Sequence, residues 1–316
     1  MTKLTAERFR DGLRHSDPRL SKYQPLERIL AFDDFNTGTN GWVELSSNYD
    51  GNGSYESLDP QFIDMRPPQL SNANFFDVGT HGAMSGIYSL KLQTRPTAGH
   101  TAVAIKRLTM PGRGPVQIEA WLCFKAQATL SGGSDTFGDI TFNHNQHPSE
   151  AQFGAFTVAT DICGDGGIRY HNVMRFQNTD AEHRRIRQWM YPVVPEPTPH
   201  EGSAEERAVY SPLTDFTAPN PEDWHPIGGE QDTCYNEVPT KTNWHYLRFL
   251  MDTRTRQNIE LQFNDNIIDL RDVPVPTYPT PWKSLDNLLN FYFSVRTLTN
   301  TRNLLFLDSV VISADW

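Results

Sequence analysis

Residues 116–124 read VQIEAWLCF. Every second position is apolar: Val116, Ile118, Ala120, Leu122 and Phe124 fall on one side, Gln117, Glu119, Trp121 and Cys123 on the other. Successive side chains of an extended chain point to opposite faces, so this spacing is that of a β-strand giving one face to a core. Comparable runs follow on either side: GIYSLKLQT (86–94), HTAVAIKRL (100–108), FGAFTVAT (153–160), IRYHNVMRFQN (168–178), NWHYLRFLMD (243–252), NIELQFND (258–265), LLNFYFSVR (288–296) and NLLFLDSVVIS (303–313). Clusters of Gly, Pro, Asn and Asp separate them, the pattern of an antiparallel all-β domain with enough strands for a two-sheet sandwich.

The one convincing helix signal is TAERFRDGLRH (5–15), ended by Ser16, Asp17 and Pro18. The expected organisation is therefore a short N-terminal helical arm over 1–30 and one sandwich domain over 31–316. Residues 178–241 interrupt the strand pattern. Eight prolines lie from Pro192 to Pro226, which excludes a set of central strands. Trp189, Tyr191, Tyr210, Phe216, Trp224 and Tyr235 give this long Pro-rich insertion the aromatic content of a functional lid rather than of a disordered tract.

The 316 residues carry a formal charge of -10 and are 37% hydrophobic. That balance argues against a nucleic-acid partner, which wants a concentrated basic face. The local basic run HRRIRQW (183–189) is the exception, either an anion holder or a solvated face. No apolar run of about 18 residues marks a membrane span. The N-terminus lacks the apolar core of a secretory signal, so the expected compartment is the cytoplasm. Cys123, Cys163 and Cys234 include no CxxC pair, so they read as thiols rather than as a disulfide framework or a zinc site.

The segment NWHYLRFLMDTRTRQNIELQFNDNIIDL (243–270) resembles the paired strands of the concanavalin A-like lectin and glucanase superfamily, including laminin-G-like modules. FDDFNTGTNGW (32–42) is similar to the opening strand of such jelly rolls, and FLDSVVIS (306–313) to the closing one. The resemblance covers residues 30–125 and 243–316 and implies a jelly-roll sandwich whose concave sheet lies under a saccharide. It also implies a structural calcium between first and last strands, where Asp33, Asp34 and Asp308 would be the ligands. The alternative is that these acids cap turns. The loop NYDGNGS (48–54) lacks the trailing Glu of an EF-hand and reads as a turn.

Retaining glucanases of this fold carry a Glu-x-Asp-x-x-Glu run that sets two carboxylates on one strand face; this chain has none. Polysaccharide lyases of the fold instead use a Tyr or His base, with Arg, Gln or Asn neutralising a uronate carboxylate. Within IRYHNVMRFQN the period of two groups Tyr170, Asn172, Met174 and Phe176 on a core-like face and Arg169, His171, Arg175 and Gln177 on a polar one. Those residue types fit the lyase scheme: His171 or Tyr191 as base, Arg175 with Arg169 and Gln177 holding the acid sugar. His144 and His147, in FNHNQH, add polar groups, and Glu119 and Trp121 are expected to line the same groove. Trp189, Trp244 and Tyr246 are either sugar-stacking platforms or packing residues. His245 alternates with Leu247, Phe249 and Met251 and reads as a core histidine. No histidine spacing, including His144, His147, Asp161, His171 and His245, is diagnostic for a transition metal.

The expectation from sequence is a carbohydrate-active protein that cleaves glycosidic bonds by elimination. A non-catalytic sugar-binding module and a hydrolase of modified (3-keto) glycosides are the alternatives. The expected partner is a saccharide, with self-association left open.

Overall fold

The computed structural model describes residues 18–43, 67–71, 83–126, 152–164, 167–193, 224–233, 243–279 and 286–316. In chain order the strands are β1 (Arg28–Asp33), β2 (Trp42–Val43), β3 (Gln69–Ser71), β4 (Ser89–Gln93), β5 (Thr101–Thr109), β6 (Pro115–Ala126), β7 (Ala155–Cys163), β8 (Ile168–Tyr170) and β9 (Val173–Thr179). They continue as β10 (Arg185–Pro192), β11 (Trp224–Ile227), β12 (His245–Asp252), β13 (Gln257–Phe263), β14 (Asn266–Asp269), β15 (Thr277–Pro279), β16 (Leu288–Arg296) and β17 (Asn303–Ala314).

They form two antiparallel sheets, the expected jelly-roll sandwich. The eight-stranded sheet runs β14-β13-β12-β6-β17-β4-β3, with β1 also on β17. The nine-stranded sheet runs β11-β10-β9-β7-β16-β5-β2, with β8 joining β7 to β15. The alternation in residues 116–124 explains why β6 sits centrally. Val116, Ile118, Ala120 and Leu122 pair with Met251, Phe249, Leu247 and His245 of β12, and all eight are buried. Opposite them, β7 and β16 contribute Phe156, Val158, Phe291 and Phe293 to the same core. Burying a side chain of this size is worth about 1.5–3 kcal/mol, so the alternation alone fixes which face turns inward.

His245 is the core histidine expected. Its ring stacks between Phe124 at 5.6 Å and Phe263 at 5.3 Å, and Nδ1 meets Asn264 Nδ2 at 3.0 Å.

The helix expected over 5–15 lies outside the described residues. The arm is described from a 3-10 turn at Pro18–Leu20; from there Leu20, Tyr23 and Leu26 pack on the outer face of the eight-stranded sheet. Leu26 N donates to Ser313 Oγ at 2.9 Å, and the Tyr23 and Ser309 hydroxyls bond to each other.

The segment expected as an insertion also departs from the expectation. Residues 185–192 and 224–227 extend the nine-stranded sheet as β10 and its edge neighbour β11. Prolines are tolerated there because Pro192 ends β10 and Pro226 sits on an edge strand. Trp189 is accordingly not a lid aromatic: it is fully buried, edge-on to Phe156 at 5.6 Å and Phe263 at 5.4 Å. Just after β11, Gly228 adopts φ +68°, and a Cβ there would lie 3.0 Å from Ile268 Cδ1. Gly228→Ala is expected to lose about 1–2 kcal/mol, since an L-residue is strained in the left-handed region; urea denaturation would show it.

Candidate binding face and its residues

The strand pairings determine which side chains share the outer face of the nine-stranded sheet. On β7, Phe156 and Val158 turn inward, so Thr157, Ala159 and Asp161 turn outward. Their partners across β16 are Ser294, Tyr292 and Asn290, and Arg175 and Val173 flank Thr157 and Ala159 on β9. Arg169 on β8 pairs with Cys163 and so joins this face. The period-two grouping of IRYHNVMRFQN holds: Tyr170, Met174 and Phe176 lie in the core. Asn172 is buried with them and bridges the sheets, accepting from Thr160 Oγ1 at 3.0 Å and donating to Asn258 Oδ1 at 2.8 Å.

At one end of the face is a buried ion pair. Arg169 Nε and Nη2 reach Asp161 Oδ1 and Oδ2, each at 2.6 Å, a bidentate geometry. Asn290 Nδ2 adds a third donor at 3.4 Å. Burial opposes ionisation of Asp161, but the Arg169 hydrogen bonds and charge outweigh it and hold the carboxyl below its usual range. His171 is wholly buried beside the pair. Its Nδ1 lies 3.0 Å from Thr160 O and 3.9 Å from Asp161 Oδ1. A carbonyl can only accept, so the proton sits on Nδ1. Burial pushes the imidazole down to about 4, against the pull of Asp161; at neutral pH the ring is uncharged.

Farther along the sheet, the Arg175 guanidinium stacks over Trp224 of β11, 3.7 Å from the ring centroid. Trp224 belongs to an apolar cluster that runs across this face through Met190, Val173, Ala159, Tyr292, Val103 and Ile105. Among the described residues, Thr101 Oγ1, Asn290 Oδ1 and Trp224 Nε1 are buried polar atoms on this face with no hydrogen-bond partner.

The site expected from sequence is thus only partly assembled. Arg169, His171 and Arg175 do share a region, but Tyr191 does not join them. Next to Trp189 on β10, it turns to the core side and meets His225 at 5.4 Å. Gln177 Nε2 is occupied by Thr179 O. Glu119 and Trp121 do not line the same groove, because β6 belongs to the eight-stranded sheet and they face outward on the opposite side of the sandwich. Tyr246 stands beside Trp121 there, centroids 5.4 Å apart, and Trp244 packs on Cys123, Leu304 and Phe306. His144, His147 and the loop 48–54 lie outside the described residues.

Two arginines of the basic run at 183–189 are paired with acids. Arg184 Nε lies 2.6 Å from Asp180, and Arg187 pairs with Glu230 at 3.0 Å and with Asp232.

Nor do the three acids expected to hold calcium converge. Asp33 accepts from Trp42 Nε1 at 2.8 Å and pairs with Lys106 at 3.2 Å. Asp34 caps a turn through Asn36 N. Asp308 accepts from Met84 N at 2.7 Å and Ser85 N at 3.1 Å and pairs with Lys22 at 3.3 Å. A cation would have to displace a lysine at two of the three positions. Among the described residues no group of three or more His, Cys, Asp or Glu gathers to bind a metal, and these acids do not fit the calcium expectation.

The sequence names Asp161 only among candidate metal ligands and Trp224 only among lid aromatics, and it does not single out Asn290. The signal was present for Asn290: LLNFYFSVR places Asn290, Tyr292, Ser294 and Arg296 at period two, a polar stripe opposite Leu289, Phe291, Phe293 and Val295.

Fold and site define a two-sheet β-sandwich with one densely polar outer face. The chain belongs to the family described as "Domain of unknown function (DUF6772)", whose sequence model matches residues 10–316. No curated protein matches the chain. Among solved structures it is similar to a legume lectin-like domain from Entamoeba histolytica, at 10% identity over 75% of this chain and 89% of that one, TM-score 0.36. It is also similar to a glycoside hydrolase family 16 endo-glucanase from Bacteroides ovatus, at 11% identity over 90% and 100%, TM-score 0.38. A third similarity is to lectin I-B4 from Griffonia simplicifolia, at 8% identity over 72% and 88%, TM-score 0.32.

Proposed function

We propose that the protein binds a saccharide on the outer face of the nine-stranded sheet, between the Asp161–Arg169–Asn290 cluster and Trp224. The observation that carries this reading is the set of unpartnered buried polar atoms, Thr101 Oγ1, Asn290 Oδ1 and Trp224 Nε1, distributed over that single face. A buried polar group without a partner costs about 1–3 kcal/mol, so three of them on one face favour a ligand that supplies hydrogen bonds. Sugar hydroxyls each donate and accept, so an oligosaccharide laid along the face matches an amide oxygen, an indole N–H and a hydroxyl in turn.

Binding is favoured over elimination. The Arg169 charge is already neutralised by Asp161, Tyr191 faces the core, and His171 is sealed from solvent. A glycan panel titrated calorimetrically should reveal binding that weakens about tenfold or more in Asn290→Ala and in Trp224→Leu. Uronate-containing oligosaccharides should yield no unsaturated product by ultraviolet absorbance. Silence across the panel, or binding indifferent to both substitutions, would sink the proposal. Unsaturated product that disappears in His171→Ala would replace it with elimination.

A further inference from the structure

On the opposite side of the sandwich, the arm and the eight-stranded sheet enclose an open pocket of about 400 Å³. Ser21, Lys22, Tyr23 and Gln24 of the arm form one wall; Trp121 of β6, Tyr246 of β12, and Gln262 and Asn264 at the end of β13 form the other. The volume falls within the range of small-molecule sites.

The pocket is held in shape by a group beneath it. Glu119 Oε1 accepts Gln24 N at 2.6 Å and Tyr246 Oη at 2.5 Å, so one buried carboxyl ties a residue of each wall. Gln117 Nε2 adds a bond to Gln24 O at 2.8 Å. On the far wall, Asn264 Oδ1 accepts Tyr246 N at 3.0 Å and Gln262 Nε2 donates to Asn264 O at 2.8 Å.

The lining combines the half-buried Trp121 indole and the buried phenol rings of Tyr23 and Tyr246 with three carboxamides. Its one cation is balanced: Lys22 Nζ lies 3.3 Å from Asp308 Oδ2, with Ser85 Oγ at 3.0 Å. Among the described residues Trp121 Nε1 is buried without a hydrogen-bond partner.

We infer that this pocket is a second, independent binding site for a neutral sugar ring, formed jointly by the arm and the β6–β12–β13 face. The Trp121 indole, backed by the buried Tyr246 ring, supplies apolar surface for the C–H face of a pyranose. With Asn264 engaged by Tyr246 N and His245 Nδ1 and Gln24 Oε1 by Arg248, Gln24 Nε2 and Gln262 Oε1 supply the hydrogen bonds to hydroxyls. With Lys22 committed to Asp308, no uncompensated cation is left to recognise a carboxylate, so an acidic sugar gains nothing here. The ligand class rests on the saccharide reading above; the location does not.

The test titrates neutral mono- and disaccharides, and glucuronic acid, into the full chain by calorimetry and ligand-observed saturation transfer. Ser21 is exposed, so Ser21→Trp fills the pocket mouth without disturbing the core, and Trp121→Ala removes the platform. Neutral-sugar binding should fall about tenfold or more in both and persist in Asn290→Ala. If no neutral sugar binds, or if binding survives Ser21→Trp, the inference is overturned. Glucuronic acid bound more tightly than glucose, and lost in Ser21→Trp, would overturn the neutral specificity. Loss confined to Asn290→Ala would leave the nine-stranded face standing and remove this pocket; loss confined to Ser21→Trp would do the reverse.

Discussion

Asp161→Ala is expected to lower the unfolding free energy by about 3–5 kcal/mol, the cost of leaving one member of a buried ion pair alone. Arg169 has a side-chain exposure of 9%, too little for water to take over the two 2.6 Å bonds that Asp161 provides. The Asn290 amide loses its acceptor as well. A buried pair need not itself be stabilising, because desolvation of both ions offsets their attraction. The double replacement Asp161→Leu with Arg169→Met should therefore recover most of the loss. Urea denaturation at pH 7 checks both. A single-variant loss under about 1 kcal/mol, the size seen for exposed pairs, would show that the pair is solvated.

Acidification should produce the second large effect, through His171. Its folded pKa, about 4, lies below the ordinary 6.5. Between those values the unfolded chain takes up a proton that the folded chain refuses. Stability is therefore complete above pH 6.5 and falls as pH drops toward 4. At about 1.4 kcal/mol per unit the loss is about 3 kcal/mol. His171→Asn keeps a donor for Thr160 O but cannot titrate, so the difference in unfolding free energy between pH 7 and pH 4 should shrink by about that amount. An unchanged difference would mean that His171 is not the buried neutral group. Asp161 acts at lower pH: its depressed carboxyl contributes stability above the ordinary carboxylate range, lost only as pH falls below it.

Much of the fold was legible in the chain. The alternation in VQIEAWLCF named the residues of β6 that pack inward, and that of IRYHNVMRFQN sorted Tyr170, Met174 and Phe176 from Arg169 and Arg175, because period two is a property of the extended backbone itself. The same logic identified His245 as a core residue. It failed at 185–192 and 224–227, where proline density masked two strands. An edge strand with a terminal proline keeps enough ladder hydrogen bonds to pair, and sequence composition does not reveal that a strand is at an edge.

The site was legible in its residue types but not in its grouping. Glu119 and Arg175 each sit on an outward face of an alternating strand, and nothing local says whether two such strands share a sheet. That is decided by long-range pairing: β6 lies between β12 and β17, while β9 lies between β10 and β7. The sequence by itself determined the strand class, the inward face of each strand and the polar character of the outward one, since these follow from backbone geometry and side-chain solvation over a few residues. Only the tertiary structure decided that Arg169 is spent on Asp161, that Tyr191 turns to the core, and that Glu119, Trp121 and Tyr246 look out from the other side of the sandwich, because each depends on contacts between residues far apart in the chain.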